Sequence, residues 1–135
     1  FNTIMKIEGA NSVLIQPMKK GIELFIGAKK EDKFGHLILC GLGGIYIEVL
    51  KDIQSALAPV SKNEALKMIH NLKSYKIIEG IRNQKGVDDS KFSEIIKKIS
   101  NLVTIAPEIV ELDLNPLLGN EKEILAVDAR IRIEK

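Results

Sequence analysis

The apolar pattern of this chain changes period twice, and that change limits its fold more than any other feature. From Ile22 the residues alternate, with Ile22, Leu24, Ile26 and Ala28 on one side and Glu23, Phe25 and Gly27 on the other. That is the period of a half-buried strand. The charged run Lys29-Lys-Glu-Asp-Lys33 reads as a hairpin turn, and His36 to Cys40 as a second apolar strand closed by Gly41-Leu-Gly-Gly44. Residues 45–50 and 53–57 extend the strand-rich region. The helical period then takes over. Ser61-Lys-Asn-Glu64 has the S-x-x-E spacing of a capping box and predicts a helix through Leu66, Ile69 and Leu72. Phe92, Ile95, Ile96, Ile99, Leu102, Val103 and Ala106 predict another over residues 91–106, stopped by Pro107. Strand alternation returns at residues 109–115 and 124–132. Strands, two helices, then strands predict an α+β fold, an antiparallel sheet packed with helices, rather than alternating βαβ units. At the start, residues 1–7 read as the tail of a helix ending near Gly9, and residues 12–16 as a short strand before a turn at Pro17.

Composition excludes several classes of function. A chain of 135 residues is one domain's worth and can bury a core without disulfides or structural metal. The 20 basic and 18 acidic residues nearly cancel, and aromatics are 4% with no Trp, so neither the basic face nor the stacking platform of a nucleic-acid binder is present. No stretch approaches the roughly 20 apolar residues of a membrane span. The single cysteine, Cys40, lies in an apolar run where a buried, unreactive thiol is expected, and a cytoplasmic location fits it best. Phe1 stands without an initiator Met inside what reads as a helix tail, so the chain is expected to be a piece of a longer protein.

The most informative segment is Glu111-Leu-Asp-Leu-Asn-Pro116, followed by Val127-Asp-Ala-Arg130. Alternation gives Glu111, Asp113 and Asn115 one face of a strand, and Asp128, Arg130 and Arg132 one face of the returning strand. With turn chemistry at Pro116 and Gly119-Asn120, a hairpin would bring Asn115 and Asp128 close together with an arginine alongside. Hard oxygen ligands beside a guanidinium suit Mg²⁺ bound to phosphates. Periodicity alone favours a plainer reading, an exposed sheet face dressed with cross-strand ion pairs.

These words resemble the C-terminal magnesium segment of the acyl-CoA synthetase branch of ATP-grasp enzymes. Succinyl-CoA synthetase β chains carry a similar E-x-N-P word, followed by an aspartate in an L-D-G-K-like word. The resemblance implies that Asn115 and Asp128 are magnesium ligands and that Arg130 contacts phosphate. Asp113 aligns with the acid two residues before the asparagine. Val13-Leu-Ile-Gln-Pro-Met18 and Gly21-Ile-Glu-Leu-Phe-Ile-Gly27 resemble the family's nucleotide edge. On that basis Gln16, Pro17 and Met18 form the adenine hinge and Glu23 meets the ribose hydroxyls. From the residues alone, the first three are a turn and Glu23 is a solvated strand position.

Gly35-His-Leu-Ile-Leu-Cys-Gly-Leu-Gly-Gly44 is also similar to the family, but its G-x-G-G lacks the Rossmann spacing and reads as a tight turn beside the cleft. Gly80-Ile-Arg82 resembles the family's G-x-R-G, with Asn83 in place of the second glycine. His36 and His70 have no metal-ligand spacing and read as packing or surface residues.

The whole resemblance implies the C-terminal subdomain of an ATP-grasp domain, residues 1–135, within an ADP-forming acyl-CoA synthetase. Such an enzyme converts acyl-CoA, ADP and phosphate to acid, CoA and ATP through a phosphohistidine outside this chain. Its expected cofactors are Mg²⁺ and ATP or ADP. Its expected partners are the N-terminal ATP-grasp subdomain and the CoA-binding and ligase domains or subunit. Two other readings remain at this point: the ATP-grasp region of another ligase or of an acetyltransferase-fused protein, and a non-enzymatic α+β binding domain.

Overall fold

A computed structural model describes residues 3–81 and 85–134. The elements run β1 (Ile22–Glu31), β2 (Gly35–Leu42), α1 (Ile45–Leu50), β3 (Ile53–Leu57), α2 (Lys62–His70), α3 (Tyr75–Glu79), α4 (Asp89–Ile105), β4 (Ile109–Gly119), β5 (Ile124–Ala126) and β6 (Arg130–Ile133). The strands form one antiparallel sheet in the order β3-β2-β1-β4-β5, and β6 pairs with β4. The α+β expectation therefore holds.

Alternation decides which side of the sheet the helices cover. Leu24, Ile26 and Ala28 of β1, Ile38, Cys40 and Leu42 of β2, and Leu112, Leu114 and Leu117 of β4 are buried in one core. Phe92, Ile96 and Val103 of α4 and Ala65, Met68 and Ile69 of α2 fill it from the other side. The buried stripe of α4 is rotated slightly from the apolar stripe of the sequence. It includes Ser93 and Ser100, while Ile95, Ile99 and Leu102 are half-buried at its flank. Ser100 earns its place because its Oγ accepts the Val60 N–H at 2.7 Å.

The ends of α2 and α4 follow from their caps. Ser61 Oγ accepts from Glu64 N at 3.2 Å and Glu64 Oε2 from Ser61 N at 2.8 Å, the reciprocal box expected. Asp88 caps α4 by accepting from Lys91 N at 3.0 Å.

Several expectations are corrected. Residues 45–50 form a helix, α1, not a strand. The terminal strand does not turn at Pro116 but continues to Gly119, and the chain turns at Asn120, whose Oδ1 accepts from the N–H groups of Lys122 and Glu123. The return is two short strands, β5 and β6, rather than one. Residues 12–16 form no strand, and residues 4–6 form a single 3₁₀ turn. Arg82 lies outside the described residues.

Three sequence expectations about single side chains hold. Cys40 is fully buried, and burial first, then the nearby Asp52 charge, push its thiol up to about 12. His36 is buried, and its Nε2 donates to the Ile109 carbonyl at 2.6 Å, a packing role. His70 is exposed and pairs with Asp89 at 2.9 Å. No described helix is long and apolar enough to cross a membrane.

Candidate functional site

The site lies on the sheet face that the helices leave open, around an irregularity in the β1–β4 pairing. Ile26 pairs with Leu114 and Leu24 with Leu117, so Phe25 faces both Asn115 and Pro116. This β-bulge adds one residue to β4 and reverses its alternation: Leu112 and Leu114 point to the helices before it, and Leu117 after it. Proline suits that position because a bulge does not need its missing N–H.

The returning chain holds one register across the bulge. Asp113 is opposite Arg130, and Leu117 is opposite Ala126. Val127 N donates to the Pro116 carbonyl at 3.1 Å and fastens the unpaired stretch between β5 and β6. Asn115 and Asp128 therefore fall at opposed positions, as the hairpin expectation required. Asn115 is half-buried and its Oδ1 accepts the Gly44 N–H at 2.9 Å. Asp128 is exposed and its Oδ2 lies 3.5 Å from Arg130 Nε.

Asp113 reports the charge of this corner. Burial raises its pKa, the Arg130 guanidinium pulls it down, and Asp128 and Glu111 push it up, with a net rise. Burial is the largest of these influences, and among the charges the Arg130 guanidinium acts more strongly than either carboxylate alone. Arg132 is engaged elsewhere, 3.3 Å from Glu111 and 2.8 Å from Glu134.

The nucleotide-edge residues converge as well. A cleft of about 620 Å³ is lined by Gln16, Pro17 and Met18, by the apolar Leu118, Leu125 and Val127, and by Glu23 and Pro116. Lys19 reaches across its rim to Glu123 at 3.2 Å. Met18 is 92% exposed, so it is a rim residue rather than a buried wall. An apolar lining that includes a carboxylate can take a flat heterocycle carrying a hydroxylated sugar.

The donor set passes the chemical test for a hard divalent cation. Asn115 Oδ1 keeps a second lone pair after its bond to Gly44, and the Asp128 carboxylate is accessible. No group of three or more His, Cys, Asp and Glu gathers among the described residues. The set is one amide oxygen and few carboxylates, which suits Mg²⁺ completed by water and phosphate oxygens.

The ATP-grasp domain family model matches residues 3–133 of this chain. The chain belongs to the ATP-grasp family. It is 45% identical over 122 residues to the ADP-forming 4-hydroxybutyrate–CoA ligase of Nitrosopumilus maritimus, covering 90% of this chain and 17% of that one. It is 38% identical to the β subunit of the ADP-forming acetate–CoA ligase I of Pyrococcus furiosus, covering 88% of this chain and 51% of the subunit. This ATP-grasp chain thus spans from about a sixth to about half of those relatives.

Among solved structures, it resembles the dinucleotide-forming acetyl-coenzyme A synthetase 1 of Ca. Korarchaeum cryptofilum, with a TM-score of 0.83 and 34% identity over 87% of this chain and 55% of that one. That protein was captured with coenzyme A and Mg-AMPPCP, its phosphohistidine segment pointing towards the nucleotide-binding site. The ATP-grasp fold expected from the sequence is thereby established.

Two kinds of contributor escaped sequence reasoning, an apolar lining and a main-chain amide. Leu118, Leu125 and Val127 line the cleft, and their apolar character alone marked them only as strand residues. The Gly44 amide meets Asn115, and no side chain could have signalled that.

Proposed function

We propose that residues 1–135 are the C-terminal portion of the ATP-grasp domain of a cytoplasmic ADP-forming acyl-CoA synthetase. In this role the chain supplies the nucleotide edge and the magnesium–phosphate corner of the active site. The reaction converts acyl-CoA, ADP and phosphate to the free acid, CoA and ATP, by way of a phosphohistidine carried outside this chain. What supports the reading is the register that sets Asn115 opposite Asp128, together with a cleft lined by Glu23 and Pro116. The names of relatives such as the Nitrosopumilus and Pyrococcus ligases support the reaction class.

Each residue has a task. The main chain at Gln16, Pro17 and Met18 meets adenine, and the apolar wall of Leu118, Leu125 and Val127 sandwiches it. The Glu23 carboxylate accepts from ribose hydroxyls, a charge-assisted contact. Asn115 and Asp128 hold Mg²⁺, and Arg130 is released from Asp128 to contact phosphate oxygens. Bound there, Mg²⁺ neutralises charge on the phosphates during phosphoryl transfer. This chain's own contribution is to fix the phosphates in line and replace water by oriented dipoles. The N-terminal ATP-grasp subdomain closes the clamp, and the CoA-binding and ligase domains or subunit carry the acyl chemistry.

The test is ATP formation from acyl-CoA, ADP and phosphate by the full-length enzyme. Asn115→Ala and Asp128→Ala should each lower turnover by about 100-fold or more, as removal of a single charge-stabilising group does. Wild-type turnover in both variants would overturn the assignment.

A further inference from the structure

The turn between β2 and α1 meets two residues of the proposed site with its main chain. Gly43 N–H donates to the Glu23 carbonyl at 2.8 Å, and the next amide, Gly44 N–H, donates to Asn115 Oδ1 at 2.9 Å. Gly44 has φ 56° and ψ −138°, a conformation that side-chain-bearing residues avoid. A β-carbon at Gly44 would overlap Glu23 Oε2, so the Glu23 carboxylate fills the space a side chain would need. At Gly43 a β-carbon would lie 2.9 Å from Asn115 Oδ1 and would overlap the Leu24 carbonyl. Two residues that are 92 positions apart in sequence at their extremes, Glu23 and Asn115, are thus gauged by one turn.

An N–H can only donate, so whatever faces Gly44 must be an oxygen. A carboxamide whose two ends differ little in shape is thereby held in one of its two flip states. Only its oxygen can ligate a hard cation, and one hydrogen bond leaves that oxygen a lone pair to do so. Partners of this kind, which orient a ligand without touching the metal, set affinity as well as geometry.

We propose that Gly44 is a positioning residue for the metal and nucleotide: its N–H fixes the Asn115 carboxamide oxygen-first, and its missing side chain seats the Glu23 carboxylate. The inference rests on the reading of Asn115 as a Mg²⁺ ligand and of Glu23 as a ribose contact. It makes the G-x-G-G turn part of the site without giving it any contact to phosphate.

The experiment measures the Mg²⁺ concentration that half-saturates ADP binding and turnover in the full-length enzyme. Gly44→Ala should raise it by about 10–100-fold, the usual cost of losing an orienting partner. It should also weaken nucleotide binding, while turnover recovers at saturating Mg²⁺ and ADP. Replacing the Gly43–Gly44 amide by an ester exchanges the N–H donor for an oxygen and adds no side chain. That variant should show the Mg²⁺ shift but keep its nucleotide affinity at saturating Mg²⁺. Adding Asn115→Ala to the ester should shift Mg²⁺ no further than Asn115→Ala alone. An unchanged Mg²⁺ requirement in the ester, or additive effects in the double variant, overturns the role of Gly44 while leaving Asn115 a ligand. If Asn115→Ala itself shifts nothing, the metal reading fails, and this inference with it.

Discussion

The two faces of the sheet are made from the same strands, yet only one is completed by this chain. On the helix side Leu24, Ile26, Ile38 and Leu112 share a core with Phe92, Ile69 and Ile96, and the buried Ser100 Oγ accepts the Val60 N–H. On the other side Glu23, Asp113 and Asn115 stand half-buried beside an open cleft, and Asp128 and Arg130 pair only loosely at 3.5 Å. One face is finished by packing. The other leaves a cleft open, which the proposed function fills with a metal–nucleotide complex. Stability and ligand binding should therefore separate cleanly by face.

The largest effect belongs to the packed face. Phe92 is fully buried, and Phe92→Ala should cost about 3–5 kcal/mol by the loss of transfer energy and the cavity left behind. Denaturant unfolding would measure it. A cost below about 1 kcal/mol would show that the helix layer is not the core described and would erase the contrast between faces.

A smaller effect of opposite sign belongs to the open face. Burial, with Asp128 and Glu111 adding to it against Arg130, raises the Asp113 pKa in the folded protein. A raised carboxylate pKa means the native state holds its proton to higher pH than the unfolded chain does. Its penalty is therefore absent at pH below the unfolded pKa, and grows as pH rises from there through the folded pKa. Without Mg²⁺, Asp113→Asn should flatten that part of the stability–pH curve and stabilise neutral-pH protein by less than about 1 kcal/mol, the group being partly solvated. Thermal unfolding across acidic to neutral pH would reveal it. Destabilisation by Asp113→Asn would mean the corner is a satisfied ion-pair network, the plain sheet face that periodicity favours.

How much of this could be read from the sequence depended on whether a local signal agreed with its surroundings. The box at Ser61 and Glu64 and the helix α4 rest on local signals, and both form where expected, although the buried stripe of α4 is rotated to take in Ser93 and Ser100. The run Ile45-Tyr-Ile-Glu-Val-Leu50 carries β-branched residues but folds as a helix, leaving Ile45 and Val49 exposed. Propensity there yields to the sharp reversal at Gly44, a tertiary effect no window contains.

Residues 12–16 look like a strand because they are apolar, yet Leu14 and Ile15 are each 81% exposed with no strand partner among the described residues. A strand needs a neighbour, which alternation alone cannot supply. The opposition of Asn115 and Asp128 was legible through their word and spacing. The bulge that reverses β4 was not, because an extra residue shows only once two strands are aligned.

The central claim, that the open face is built for a metal–nucleotide complex rather than for stability, is tested most directly on Asp128. Mg²⁺-dependent nucleotide binding and thermal unfolding should be measured together in full-length wild type and Asp128→Ala. Removing a ligand should raise the Mg²⁺ requirement at least about tenfold. Loss of an exposed side chain should move unfolding free energy by no more than about 0.5 kcal/mol. An unchanged Mg²⁺ requirement accompanied by a clear loss of stability would contradict the account.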